Sequence, residues 1–202
     1  MSFFPGGISI SFRRTHTLCM KCSRCSREAV VTQPYSGLSL CELHAAADIA
    51  AKAKKEIRHR GGFPSGSKLF VEEDRTFRSF ALRIFLADML SARTDLLFVK
   101  DPKDADVILE PSTLDDTALL VLESVCAGTQ DRLVDSGKGR IAPFSVIPTG
   151  EVFWYAQRHG YKGSKPKIGG NTAEFLAGFT AEHPGTRYAL KNIRDALKLE
   201  DK

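Results

Sequence analysis

The chain has 202 residues, 43% of them hydrophobic, with a formal net charge of +5 and a sequence pI near 9.0. That length accommodates one α/β core and a small accessory module, and the absence of any long apolar run argues against a membrane-spanning protein. The excess positive charge favours a polyanionic partner such as nucleic acid.

Residues 1–19 show no clear periodicity, and Phe3 and Phe4 precede Arg13 and Arg14 without an apolar stretch suited to a signal peptide. They read as a disordered extension or a misassigned start, which leaves a cytoplasmic protein as the expectation. Four of the five cysteines fall between positions 19 and 41, which suits a metal in a reducing compartment better than a disulfide ladder.

The next segment organises the chain. Cys22-x2-Cys25 and Cys41-x2-His44, separated by fifteen residues, form two short clamps of thiolate and imidazole ligands. Such a set suits tetrahedral zinc, and four protein ligands leave no open position for an activated water, so the zinc is expected to be structural. Cys19 has the same spacing to Cys22 and is the alternative first ligand. Between the clamps, Pro34-Tyr35-Ser36-Gly37 reads as a turn flanked by short strands at 30–31 and 38–40. The zinc finger is therefore assigned to 20–45.

An alanine-rich helix follows to about Arg60, where Gly61-Gly62 stops it. Its Lys52, Lys54, Lys55, Arg58 and Arg60 have two readings: cations that complement the helix dipole, or a phosphate-contacting patch for RNA. Residues 46–62 are accordingly taken as a basic linker helix and 63–202 as an α/β domain.

Within that domain, 68–71 reads as a buried strand and 76–92 as a helix with Phe77, Phe80, Ala81, Ile84, Phe85 and Leu90 inward. Strand-like runs at 96–99 and 107–109 are only seven residues apart, which predicts an antiparallel pair or a single strand. A helix over 114–126 is expected to turn Leu119, Leu120, Leu122 and Val125 inward, with Cys126 packed among apolar neighbours. Residues 131–140 read as a loop. Thr149 is expected to cap a helix to Arg158, residues 163–170 form a basic loop, and helices over 172–182 and 187–199 close the chain.

Several of these motifs resemble the tRNA 2-thiouridine synthetase family, PP-loop ATP pyrophosphatases that thiolate a tRNA uridine. The resemblance rests on Lys21-Cys22-Ser23-Arg24-Cys25, Pro34-Tyr35-Ser36-Gly37-Leu38, Leu40-Cys41-x2-His44 and the late His183-Pro184-Gly185-Thr186-Arg187-Tyr188. Leu114-Asp115-Asp116-Thr117-Ala118 and Ile141-Ala142-Pro143-Phe144, with Glu151 and Tyr155-Ala156, are similar to intervening family segments. It implies a reduced PP-loop domain, adenine nucleotide alpha hydrolase-like and Rossmann-like, preceded by a small zinc finger.

The departures are as informative. The family's phosphate-binding Ser-Gly-Gly-x-Asp-Ser loop falls on Asp74-Arg75-Thr76-Phe77-Arg78-Ser79, where only the last serine is kept. Side chains at 75 and 76 and the Asp74 charge oppose close approach of a pyrophosphate to backbone N–H groups, so ATP binding is doubtful. The family's cluster-binding Cys-x-x-Cys falls in a deletion at the short gap between Val99 and Val107 and its third cysteine at Lys165-Pro166-Lys167; the one downstream cysteine, Cys126, cannot hold a cluster alone, which makes an iron–sulfur cluster unexpected. The second, C-terminal finger is also missing from the sequence. Asp115 and Asp116 suit a first helical turn as well as a substrate-facing pair.

The expected protein is a pseudoenzyme with no catalytic residues, binding tRNA or another RNA or pairing with an active thiolation enzyme, with a homodimer open. The alternatives are an active ATP-dependent tRNA sulfurtransferase and a zinc-stabilised protein-interaction module.

Overall fold

The structure, a computed structural model, describes residues 20–129, 133, 139–165 and 169–200. The expected extension with Cys19, most of the 131–140 loop, and Pro166 and Lys167 lie outside the described residues.

A two-stranded antiparallel hairpin opens the described chain: β1 (Val31–Gln33) pairs with β2 (Leu38–Leu40), Val31 opposite Leu40. Gly37 at φ 68° supplies the left-handed residue that the intervening turn requires. Helix α1 (Glu42–His59) starts at once after Cys41. It passes through the expected boundary at 45/46, because Ala45 packs with the finger while Ile49, Ala53 and Ile57 sit in the main core. The helix is therefore shared by the two modules.

The main sheet is β3 (Lys68–Val71), β4 (Leu97–Phe98), β5 (Val107–Leu109) and β6 (Arg140–Ile141), in the order β4-β3-β5-β6 with every pair parallel. Helices α2 (Phe77–Met89), α3 (Leu114–Ala127), α4 (Thr149–Arg158), α5 (Asn171–Glu182) and α6 (Thr186–Glu200) complete it. The core joins Leu69, Leu109 and Ile141 of the sheet to Phe77, Leu82 and Phe85 of α2 and Val152 and Ala156 of α4.

Neither expectation for the 96–99 and 107–109 runs holds: both are strands, on opposite sides of β3 and parallel to it. The crossover-length rule presumes strands of ordinary length. Here β4 has two residues and β5 three, so the return path is short. The eight residues that link the observed strands, 99–106, reach roughly 26 Å at about 3.3 Å each, enough to step across β3 at about 4.8 Å per strand.

The inward face of α3 also differs from expectation. Leu114, Thr117, Ala118, Val121 and Ser124 are buried, while Leu120, Val125 and Cys126 are exposed. Residues 119–122 are apolar on every side, so periodicity cannot choose a face; the cap at Thr113 sets the phase. Thr113 accepts the capping role with Asp116, whose carboxylate takes the Thr113 N–H at 2.8 Å. Helix α4 is not capped by Thr149, which lies inside it; the Asp115 carboxylate of α3 accepts the Thr149 N–H at 2.7 Å. Among the described residues no helix is long and apolar enough to cross a membrane.

Candidate metal centre and closed anion loop

Cys41 is the N-cap of α1 and His44 lies on its first turn, three residues on, which brings the two side chains to the same side of the helix start. Cys22 and Cys25 occupy a tight turn in which the Cys25 N–H donates to Cys22 O at 3.3 Å and the Arg24 N–H donates to Cys22 Sγ at 3.4 Å. The hairpin folds the two clamps together. Cys22 Sγ lies 3.3 Å from His44 Nδ1, Cys41 Sγ 3.4 Å from the same nitrogen, and Cys25 Sγ 3.6 Å from Cys41 Sγ.

All four ligand atoms lie within 4.8 Å of one another. A tetrahedron with metal–sulfur bonds of about 2.3 Å has edges of about 3.7 Å, so the donor set fits a four-coordinate metal. Burial would raise the Cys22 thiol, but the N–H groups of Cys41 and Arg24 and the nearby His44 and Cys25 outweigh it and lower the pKa to about 6. For Cys25 the Arg27 N–H favours the thiolate, while burial and the adjacent Cys41 and Cys22 raise the pKa on balance.

The finger is joined to the α/β domain by a polar network. Buried Gln33 donates from Nε2 to Asp48 at 2.9 Å and to Glu151 at 2.8 Å. The Tyr35 hydroxyl donates to Glu151 at 2.6 Å and accepts from Lys52 Nζ at 2.7 Å. Lys52 also pairs with Asp48 at 2.6 Å, as does Arg24 at 2.8 Å. Burial raises the Glu151 pKa against the opposing effects of Tyr35, Lys52 and Gln33. Trp154 packs against both apolar clusters, at their junction.

Residues 74–79, the expected position of a phosphate loop, form a closed turn. Asp74 Oδ1 accepts from the N–H of Thr76 at 2.9 Å and of Ser79 at 3.4 Å; Oδ2 accepts from Thr76 Oγ1 at 2.7 Å and Arg78 Nε at 2.9 Å. Thr76 Oγ1 takes the Arg78 N–H at 3.2 Å, while Phe77 is buried in the core. The N-terminus of α2, the natural seat of an anion, thus holds the protein's own carboxylate. Burial would raise the Asp74 pKa, but its bonds to Thr76 and Ser79 and the Arg78 charge lower it. Arg78 continues to Asp116 at 2.7 Å, tying the loop to the capping acid of α3. Arg75 has φ 55°, the one non-glycine in left-handed backbone among the described residues.

The five cations assigned to RNA divide into two groups. Lys52 belongs to the finger network, and Arg60 pairs with Glu56 at 2.9 Å and Asp195 at 2.7 Å. Lys55 and Arg58 are exposed, Lys54 is half-buried, and none of these three forms an ion pair among the described residues. Sequence reasoning missed Gln33 and Asp48. Their only signal was polarity at hairpin and helix positions that should face a core.

Residues 21–44 match the family model described as 2-thiouridine synthetase TtuA, N-terminal LIM domain. The fold is shared with the U34-tRNA thiolase NcsA from Methanococcus maripaludis with its 4Fe-4S cluster: TM-score 0.76 at 15% identity, over 89% of this chain and 88% of that one. No curated protein sequence matches the chain significantly. The chain is thus TtuA-like in its opening module and thiolase-like in its fold. The expectation against an iron–sulfur cluster is overturned: the similar structure carries one, and the thiolates gathered at residues 22, 25 and 41 are ligands that serve iron as well as zinc. Counting downstream cysteines was too narrow a test.

Proposed function

We propose that this protein is a cytoplasmic, RNA-binding member of the tRNA-thiolation group that does not adenylate its RNA and acts as an accessory to an active thiolation enzyme. The observation that carries this reading is the Asp74 carboxylate seated on the N–H groups of Thr76 and Ser79. An ATP phosphate would have to displace an ion-paired carboxylate from that seat, and the side chains of Arg75 and Thr76 surround it. RNA would lie along the open side of α1, on Lys54, Lys55 and Arg58, with the metal finger fixing the start of the helix.

Two titrations test the proposal. Calorimetry with ATP at millimolar concentration should give no binding heat; a clear isotherm supports instead the second reading, an active sulfurtransferase, which the likeness to a thiolase favours. For tRNA, log affinity should fall linearly with log salt, and combined Lys54→Ala, Lys55→Ala and Arg58→Ala should reduce the slope by about 2–3. An unchanged slope rejects this surface.

A further inference from the structure

Between the finger's turn, α1 and the start of α6 lies a cleft of about 520 Å3, lined by Tyr35, Val146, Tyr188, Lys55, His59 and Lys191 among others. Its size falls within the roughly 300–1,000 Å3 of small-molecule pockets. The two tyrosine rings meet at 4.9 Å between centroids with a 48° tilt. Tyr188 is held by its hydroxyl, which donates to Val146 O at 3.2 Å, and Tyr35 by Glu151 and Lys52. The aromatic wall is therefore fixed from behind by bonds that need no ligand.

The charges around the cleft are of two kinds. Lys52 is matched by Asp48, Lys191 by Asp195 at 2.5 Å, and Glu56 by Arg60. Among the described residues, exposed Lys55 and His59 have no ion pair. An apolar, aromatic chamber with unneutralised basic groups at its mouth is complementary to a flat base carrying a phosphate, the combination that single-strand binders use. It is separate from the closed Asp74 turn, sharing no lining residue with it.

We infer that this cleft holds one unstacked nucleotide of a single-stranded RNA, its base against the Tyr35–Tyr188 pair and its phosphate at Lys55 and His59. The inference rests on the RNA-binding reading above and assigns to it a specific seat, which a duplex cannot fill because its bases are stacked inward. The cleft then selects loops and ends of a folded RNA, while the outer cations of α1 supply attraction without selection.

The test uses fluorescence anisotropy with the full chain, a labelled single-stranded RNA of mixed sequence, and the same strand in a duplex. The single strand should bind more tightly than the duplex. Tyr188→Leu should weaken single-strand binding about tenfold or more, leave duplex binding unchanged and leave the salt slope unchanged. Tyr188→Phe keeps the ring and should bind as the parent does, which separates stacking from damage to the fold. Lys55→Ala, at an exposed site, should weaken binding and lower the slope by about one. If RNA binds but Tyr188→Leu and the parent agree for single strands, the cleft is rejected while the α1 surface stands. If no RNA binds, both readings fall.

Discussion

Replacing Asp74 by alanine removes the carboxylate from the start of α2 and tests the closed-loop geometry directly. Three contributions are lost. The cap on the Thr76 and Ser79 N–H groups is worth about 1 kcal/mol. The negative charge at the positive end of the helix contributes about 0.3–1 kcal/mol. The pair with Arg78, whose partners have side chains 27% and 25% exposed, contributes no more than about 0.5 kcal/mol after solvent screening. Arg78 keeps Asp116, so no buried cation is orphaned and the total is about 2 kcal/mol. Urea unfolding followed by helical circular dichroism should show a midpoint lower by about 1 M at a slope of about 2 kcal/mol/M. Because Asp74 is held below its ordinary pKa, its contribution is complete above the unfolded-state value and fades as pH falls through the folded-state value. The gap between parent and variant should therefore be constant near neutrality and close only in acid. Inorganic pyrophosphate at millimolar concentration should raise the melting temperature of the variant and leave the parent unmoved. A cost below about 0.5 kcal/mol, or equal stabilisation of both proteins by pyrophosphate, would refute the reasoning.

At the next residue, Arg75→Gly relieves left-handed backbone at φ 55° and should raise stability by about 0.5 kcal/mol, since the steric relief exceeds the entropy lost by glycine; a loss on urea unfolding contradicts the assignment of strain. Elemental analysis of the purified chain should find one bound metal centre at the Cys22, Cys25, Cys41 and His44 donors, with Cys41→Ser removing it, and visible absorption distinguishes thiolate-bound iron from colourless zinc. Chelation should red-shift the fluorescence of the single tryptophan, Trp154, which sits where the finger meets the domain; an unshifted spectrum from metal-free protein means that the finger docks without its metal. Glu151 has a raised pKa, so its contribution to stability is complete below the ordinary glutamate pKa and is lost as pH rises through the folded-state value. Glu151→Gln should therefore lessen the decline in stability just above the ordinary carboxylate range, and an identical pH profile argues that the acid is not buried against the finger.

The local chemistry of the chain was legible in its sequence wherever neighbours along the backbone decide the outcome. The spacing of Cys22, Cys25, Cys41 and His44 anticipated that these four donors gather, because each clamp closes within one turn, and Pro34 to Gly37 named the hairpin because a turn needs little beyond its own residues. The absence of glycine from residues 74–79 was equally local, since it is visible without a fold. What tertiary structure decided was pairing over distance. The two strands near residues 97 and 107 gave no sign that β3 would come between them, because short strands permit a crossover that longer ones forbid. The acids at 115 and 116 became caps and ion-pair partners for Thr149, Arg187 and Arg78 only once α2, α4 and α6 converged on α3. The cations of α1 likewise shared one run in sequence, yet Arg60 turns to a carboxylate brought by α6, Asp195, and Lys52 to Asp48 one turn earlier on its own helix, while Lys55 and Arg58 face outward. A charge announces its sign in the sequence, but its partner is set by which surfaces the buried apolar groups draw together.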